Sequence, residues 1–448
     1  MFNTSVKYGI LGLARSGIAA AYKIKDLGGK AFLSELLPAE KIESSEALTR
    51  DFECEFGGHS DRLLELDTWI VSPGIPLNAP IIRKGRQKGI KLISEIEFGW
   101  QIKAPDSQVI AVTGSNGKST TASLIYHVLK NSGRKCILAG NIGDAFCSFP
   151  IHKPGIEYIV LEISSFQLDI ITSFAPHVAV LLNLSPDHLN RYKSFGDYCN
   201  SKMRIFRYQT AQDFAVLYLD SEEIVRRSDN LKAWKLYFSK EAKNAPAHLD
   251  GKFIHLGEYQ MSIFELPIKG PHNHLNAMAA LLCAQALEMD IPSVMQNMKS
   301  FQALPHRLEY VESVNGVNFY NDSKATNTDS VRCALESFDR PIRIILGGSD
   351  KGEDYAQITQ NLQEHVIRAY ITGESRYKMQ QAWLGKVPMV LVDDFEDCIH
   401  MAFEEATIGE NIVLSPACAS YDKFKNFEQR GDTFKEIVRK LKREKEQA

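Results

Sequence analysis

Residues 109–120 constrain this chain more than any other stretch. Four apolar residues, Val109 to Val112, run directly into Thr113-Gly114-Ser115-Asn116-Gly117-Lys118-Ser119-Thr120, and a helical run over 122–129 comes next. Strand, glycine-bearing turn and helix in that order make one unit of a parallel α/β sheet, with the turn at the carboxyl end of the strand. Gly114 and Gly117 permit a turn whose N–H groups point inward. The helix adds its positive N-terminal end, and together they cradle a polyphosphate. Lys118 would reach the outer phosphates, and Ser119 or Thr120 would ligate Mg2+. The spacing is G-x-x-G-K-S. The longer G-x-x-x-x-G-K-S/T form would need glycine where Val112 stands. The competing reading is a turn that happens to carry a lysine.

With 448 residues the chain has room for two to four domains, at about 100–200 residues each. A net charge of −3 gives no basic field for nucleic acid. No apolar run reaches the roughly 18 residues that span a bilayer. Residues 8–11 are too short for the core of a signal peptide, and Arg15 interrupts the apolar residues beyond them. The eight cysteines form no C-x-x-C pair, so the expectation is reduced thiols in a cytoplasmic protein.

Three segments each alternate strand and helix, giving an α/β class with expected domains at 1–103, 104–303 and 304–448. In the first, a strand at 7–11 leads through Gly12-Leu13-Ala14-Arg15-Ser16-Gly17 into a helix at 18–27. Strands at 31–33 and 68–71 end at Ser34-Glu35 and Ser72-Pro73-Gly74. This pattern is Rossmann-like, with its crevice at the strand ends. The second segment adds strands at 158–161, 178–182 and 214–219, a hairpin in 252–264 and a helix at 275–287 to the phosphate loop. The third repeats the strand theme at 342–346, 369–372, 389–392 and 411–414, then ends in a charged amphipathic helix at 434–446. The expected architecture is a Rossmann-like first domain, a P-loop-type ATPase centre and a Rossmann-like last domain.

Candidate chemistry collects at these strand ends. Gly12 to Gly17 resembles G-x-G-x-x-G with Ala14 at the middle position, where its methyl group disfavours a dinucleotide. A structural turn and a helix N-terminus for another phosphorylated ligand both remain open. Glu162 ends the strand at 158–161, where a metal-binding acid belongs, since Mg2+ takes few carboxylates and several waters. Asp187-His188 comes after the strand at 178–182 and gives His188 a metal or substrate role. Lys202, taken alone, reads as a solvated lysine. Asn273 and Asn276 precede or open the helix at 275–287, with amides suited to a purine or ribose. Capping competes for Asn273. Arg307 could approach phosphates with its planar fork. Asn321-Asp322-Ser323-Lys324-Ala325-Thr326-Asn327, Gly347-Gly348-Ser349-Asp350-Lys351-Gly352 and Ser415-Pro416-Ala417-Cys418-Ala419-Ser420-Tyr421-Asp422 form a positive, hydrogen-bonding rim for an anionic co-substrate.

These motifs resemble those of the Mur ligases, ATP-dependent amide-forming enzymes of peptidoglycan synthesis, over nearly the whole chain. The phosphate loop resembles the family's ATP loop. Gly140-Asn141-Ile142-Gly143, the run from Glu162 to Leu168 and Asp187-His188 resemble its central motifs. Asn321 to Asn327, and Ser415 to Ser420 with Phe427, Arg430 and Gly431, look like the D-glutamate branch. The resemblance implies that Gly114, Ser115, Asn116, Gly117, Lys118, Ser119 and Thr120 hold ATP phosphates and Mg2+, with two ions expected. Glu162 and His188 would position metal. Lys202 matches a family lysine that is carbamylated. Asn273, Asn276, Arg307 and Asp322 would bind the adenine nucleotide. Ser16, Ser34, Glu35, Gly74 and Asn141 would lie near the UDP-sugar, and Lys324, Thr326, Lys351, Ser420, Tyr421 and Phe427 around D-glutamate. Leu36 stands where relatives can carry a basic residue.

The implied substrates are UDP-N-acetylmuramoyl-L-alanine, D-glutamate and ATP, handled by a monomer with Lys118, His188 and Lys202 as catalytic residues. Transfer of the γ-phosphoryl group to the alanyl carboxylate would give an acyl phosphate for the D-glutamate amine to attack. Closure of the third domain on ATP is expected to expel water. Identical scattering profiles of the free and fully liganded chain would count against it. The enzymatic rival is a folylpolyglutamate-type synthetase. The rival of another class is a non-catalytic nucleotide sensor that kept the fold.

Overall fold

The computed structural model describes residues 2–187, 191–268 and 270–447. Its strands form three sheets, and the chain divides into two compact units. The first unit comprises Met1–Leu184, Gly196–Ser262 and Asn276–Met298. The second comprises Ser185–Phe195, Ile263–Leu275 and Lys299–Ala448.

The first unit holds two sheets. The smaller contains β1 (Lys7–Leu11), β2 (Lys30–Glu35), β3 (Glu53–Phe56), β4 (Thr68–Val71) and β5 (Lys91–Ile93), in the order β3-β2-β1-β4-β5. Every pairing is parallel. The strand order reverses between β1 and β4, so their carboxyl ends frame the crevice where such a sheet binds ligands. A strand that the sequence reading does not include, β3, precedes the one at 68–71. The helix after β1 spans Arg15–Asp26, with Ser16 in its first turn. Gly17 has no room for a side chain there, since a Cβ would stand 2.0 Å from the Gly12 carbonyl oxygen.

The larger sheet contains β6 (Gln108–Thr113), β7 (Cys136–Gly140), β8 (Tyr158–Glu162), β9 (Val178–Leu181), β10 (Phe214–Tyr218), β11 (Trp234–Ser239), β12 (Ala247–Asp250), β13 (Phe253–Leu256) and β14 (Tyr259–Ser262). Its order is β14-β13-β12-β11-β10-β9-β6-β8-β7. β6 thus lies between β8 and β9, buried on both faces, as its run of Val109, Ile110, Ala111 and Val112 requires. β13 and β14 form the hairpin expected within 252–264.

The two sheets of this unit are joined through the helix Glu95–Ile102. Its Gly99 packs against Phe146, leaving a Cβ only 2.4 Å from the ring. Glu97, fully buried, accepts from the amides of Thr172, Ser173 and Phe174 at 2.9, 3.1 and 3.0 Å, and from the hydroxyls of Thr172 and Ser173 at 2.9 and 2.5 Å. Two positions earlier, Glu95 accepts the Cys147 amide at 2.5 Å.

The second unit carries β15 (Glu309–Val314), β16 (Val317–Asn321), β17 (Ile342–Gly347), β18 (Val366–Thr372), β19 (Met389–Leu391) and β20 (Asn411–Leu414), ordered β15-β16-β20-β17-β18-β19. β15 alone in this sheet is antiparallel to its neighbour. Apolar residues of β16, β17, β18 and β20 fill cores on both faces. A long helix, Phe427–Gln447, covers one of them with Phe434, Ile437, Val438 and Leu441.

Among the described residues, no helix is long and apolar enough to cross a membrane.

Candidate active site

The phosphate loop is built as the sequence indicates. β6 ends at Thr113, Gly114 takes a φ of +153°, and the helix Lys118–Asn131 begins directly after Gly117. Gly117 is left-handed at φ +83°, and a Cβ there would stand 2.4 Å from Asn276 Oδ1, so the Asn276 amide lies against the loop. Lys118 Nζ donates to the carbonyls of Gly114 and Ser115 at 3.0 and 2.7 Å. Lys202 does not lie on a solvated face. It is 2% exposed, stands over the Tyr198 ring at 4.7 Å, and donates to the same Gly114 carbonyl at 2.7 Å. Two ammonium groups from different helices thus meet on one oxygen under the loop. Ser119 is fully buried and Thr120 nearly so.

Strand pairing delivers the acid. Val112 of β6 lies opposite Glu162 of β8, which lies opposite Gly140 of β7. Glu162 is 1% exposed, and Asn141 donates both its side-chain amide to Glu162 Oε1 and its backbone N–H to the Glu162 carbonyl, each at 2.8 Å. Register therefore brings Asn141, Glu162 and the phosphate loop to one rim. Ser119 Oγ and the Glu162 carboxylate are hard oxygen donors, the kind Mg2+ takes alongside waters and substrate phosphates. Among the described residues no three His, Cys, Asp or Glu side chains cluster as a metal cage, and His188 lies outside the described residues.

On the first sheet, Ser16 is half-buried and Gly74 exposed. Glu35 spends its carboxylate on backbone, accepting the amides of Leu13 at 2.7 Å and Leu37 at 3.1 Å. Ser34 is fully buried. Glu35 and Gly74 line one cavity of about 470 Å3 with Leu36, Leu37, Ile75 and Pro76.

The second unit has its own convergence. The helix Pro271–Ala286 starts earlier than the apolar run at 275–287 suggests, so Asn273 sits inside its first turn and not at the cap. Asp322, just after β16, accepts from Ser415 Oγ at 2.8 Å and the Leu308 amide at 3.2 Å, and is pushed up to about 7 by burial, against the pull of those bonds and of Arg307. Burial, then Arg307, pushes His272 down to about 4. Arg307 therefore lies within the field of both groups. It sits between His306 at φ +64° and Leu308 at φ +44°, left-handed residues of the kind that cluster at ligand sites.

In the last domain, Lys324 Nζ stands 5.0 Å from the Phe427 ring centre. Ser420 is buried, while Thr326 and Lys351 are half-buried. Tyr421 is 74% exposed and stands out in solvent. Arg430, 2% exposed, ties the loops together. It donates to the carbonyls of Ser323, Cys418 and Ala419 at 2.8, 3.0 and 3.2 Å and to Ser323 Oγ at 3.0 Å.

Family models for the Mur ligase middle domain and the Mur ligase glutamate ligase domain match residues 112–284 and 306–418. A UDP-N-acetylmuramoylalanine--D-glutamate ligase of Cytophaga hutchinsonii is 39% identical, over 98% of this chain and 99% of its own. The chain is a Mur ligase. A relative of the same name from Koribacter versatilis is 37% identical over 96% of this chain and 97% of its own. The MurF ligase of Thermotoga maritima in complex with ADP matches in fold, with a TM-score of 0.62 at 17% identity, covering 85% of this chain and 91% of its own.

Two loop supports of this Mur ligase escape a sequence reading. Asn183 accepts the Asn116 amide at 2.8 Å, returns a bond to its carbonyl at 3.1 Å, and takes the Ser115 amide on its own carbonyl at 3.1 Å. Tyr198 hydrogen-bonds Ser115 Oγ at 3.0 Å. Asn183 stands directly after the strand run at 178–182, a position signal that would have found it. Tyr198 had none.

Proposed function

We propose that this Mur ligase joins D-glutamate to UDP-N-acetylmuramoyl-L-alanine through an acyl phosphate, using ATP and releasing ADP and phosphate, as a step of peptidoglycan precursor synthesis. The observation that carries the reading is the convergence of Lys118 and Lys202 on the Gly114 carbonyl, beside Glu162 and beneath a loop shaped for phosphate. The names of the relatives supply the amino acid and the acceptor.

A carboxylate is a poor electrophile, and phosphorylation gives it a leaving group. Lys118 and the loop N–H groups stabilise the charge that spreads over the transferring phosphoryl oxygens, the main protein contribution to such a step. Ser119 and Glu162 would hold Mg2+, which when bound neutralises charge on the phosphates. Asn141 fixes Glu162 Oε1 and so sets which carboxylate edge faces the rim. Asn276 buttresses the left-handed Gly117. In the second unit, Asn273, Arg307 and Asp322 serve the nucleotide, and Lys324 with the Arg430-held loops serves the carboxylates of D-glutamate.

Phosphate release by the purified chain with ATP and Mg2+ tests this. UDP-N-acetylmuramoyl-L-alanine and D-glutamate together should elicit it. Release only with a folate and L-glutamate would transfer the chain to the polyglutamate synthetases. No release with either pair would favour a nucleotide sensor.

A further inference from the structure

A hydrogen-bonded chain on the first sheet bears on base recognition. Ser34, near the end of β2, has its Oγ 2.5 Å from Glu55 Oε1 on β3 and 2.6 Å from His59 Nδ1 in the loop after β3. A hydroxyl carries one proton and an ionised carboxylate only accepts. Burial pushes Glu55 up, but the Ser34 and Ser60 hydroxyls and the Ser60 amide, which donates at 3.0 Å, outweigh it and hold the group below its ordinary value. The Ser34 proton therefore goes to Glu55, and Ser34 Oγ turns a lone pair to His59. Nδ1 must be the donor. Burial lowers His59 below its ordinary value, so the ring is neutral with its single proton on Nδ1. Nε2 is left as an acceptor.

His59 lines the same cavity of about 470 Å3 as Glu35 and Gly74. The walls are mostly apolar, with Leu36, Leu37, Ile75, Pro76 and Ile81, and Lys84, which pairs with Asp61 at 3.0 Å, adds a charge. Leu36 is 65% exposed and Leu37 46%, an apolar lip suited to the faces of a flat ring. The ring's Nδ1 is tied to the buried Ser34, which leaves Nε2 as the ring nitrogen that can serve a ligand in the cavity His59 lines. Glu35, in the same lining, holds each carboxylate oxygen on one backbone amide.

We propose that His59 selects the nucleotide base, its Nε2 accepting the N3–H of uracil, with Ser34 and Glu55 fixing the tautomer that makes it an acceptor. Cytosine presents a lone pair at N3 and would face Nε2 lone pair to lone pair. The inference rests on the sugar-nucleotide reading of this crevice and adds the discriminating atom. It also accounts for Ser34, whose hydroxyl is spent within the protein.

The test is calorimetric titration of the full chain with UDP and with CDP. The wild type should prefer UDP by about 10- to 100-fold, the range of one well-placed hydrogen bond against an opposed one. His59→Phe keeps a flat ring without the acceptor and should bring the two affinities within about threefold, mainly through weaker UDP binding. Ser34→Ala leaves the imidazole in place but frees its tautomer, and should also narrow the preference; it serves where His59→Phe does not fold. Nitrogen NMR of the wild type reads the same point without a variant: Nε2 should be the unprotonated nitrogen and should shift on adding UDP. A proton on Nε2, or an undiminished preference in both variants, overturns the role of His59 while leaving the sugar-nucleotide site standing. Failure of the wild type to bind UDP at all removes that site and this inference with it.

Discussion

Glu95 and Glu97 lie two positions apart on one helix, are both nearly or fully buried, and titrate in opposite directions. Burial alone would raise both. Glu95 has one amide donor from Cys147 and is pushed up to about 7. For Glu97 burial is outweighed by donors from Ser173, Thr172 and Gln101, which hold it below its ordinary value. The two groups therefore act on stability with opposite signs. Glu95 takes up its proton more readily when folded, so its contribution is complete below the ordinary carboxylate range and is lost as pH rises through about 7. Glu97 contributes above that range and loses its contribution as pH falls through its depressed folded value. Glu95→Gln should therefore gain on the wild type by about 2–3 kcal/mol between pH 5 and pH 8 in denaturant unfolding. A difference that stays flat over that interval would refute the assignment. At the phosphate loop, Lys118→Ala should raise the barrier to ligation by ~3 kcal/mol or more. Wild-type turnover would remove Lys118 from the chemistry.

The helix Phe427–Gln447 shows how an element can hold a site it does not enter. Its first turns carry Arg430 and Gly431, and a Cβ on Gly431 would stand 2.1 Å from His306 Nδ1. Arg430 grips three carbonyls of two loops, one containing Ala417 at φ +59°. Lysine cannot reproduce that fork. Arg430→Lys should lower stability by about 2–4 kcal/mol, and amide hydrogen exchange over 417–420 should speed up more than in β17. Equal protection in both segments would mean the loop holds itself. This helix also marks where sequence reading stops. Its apolar periodicity is visible from 434, whereas in its first turns the buried position is taken by Arg430, a charged residue that reaches buried carbonyls. Strands with uniform apolar runs, β1, β4 and β20, were legible to the residue. β3, reading Glu-Cys-Glu-Phe, and β5, of three residues, were not, because they flank the sheet and carry charge. The phosphate helix starts at Lys118, four residues before its apolar run, since its first turn is Lys, Ser and Thr. Motifs at strand ends placed Glu162 beside the loop. The burial of Lys202 and the His59 chain depend on contacts between distant segments, to which no local pattern points.

Across the first unit, the smaller and larger sheets share one buried carboxylate. Glu97 reaches from the last helix of the smaller sheet to three successive amides preceding β9. Glu97→Ala would leave the buried Phe174 amide without its acceptor and a void beside it, a loss of about 3 kcal/mol or more. In calorimetry the two sheets should unfold together in the wild type, and the variant should show a separate, earlier transition for the smaller one. A single transition shifted as a whole would mean that the apolar packing of Gly99 on Phe146 already couples them. The same carboxylate limits how the gene can be cut. A fragment ending at residue 103 would keep the whole Rossmann-like sheet yet expose Glu97 and Glu95 stripped of every donor beyond their own helix. The smallest excisable piece with an intact crevice must carry the larger sheet as well, and a library of truncations selected for soluble expression should lose every clone that ends between the two.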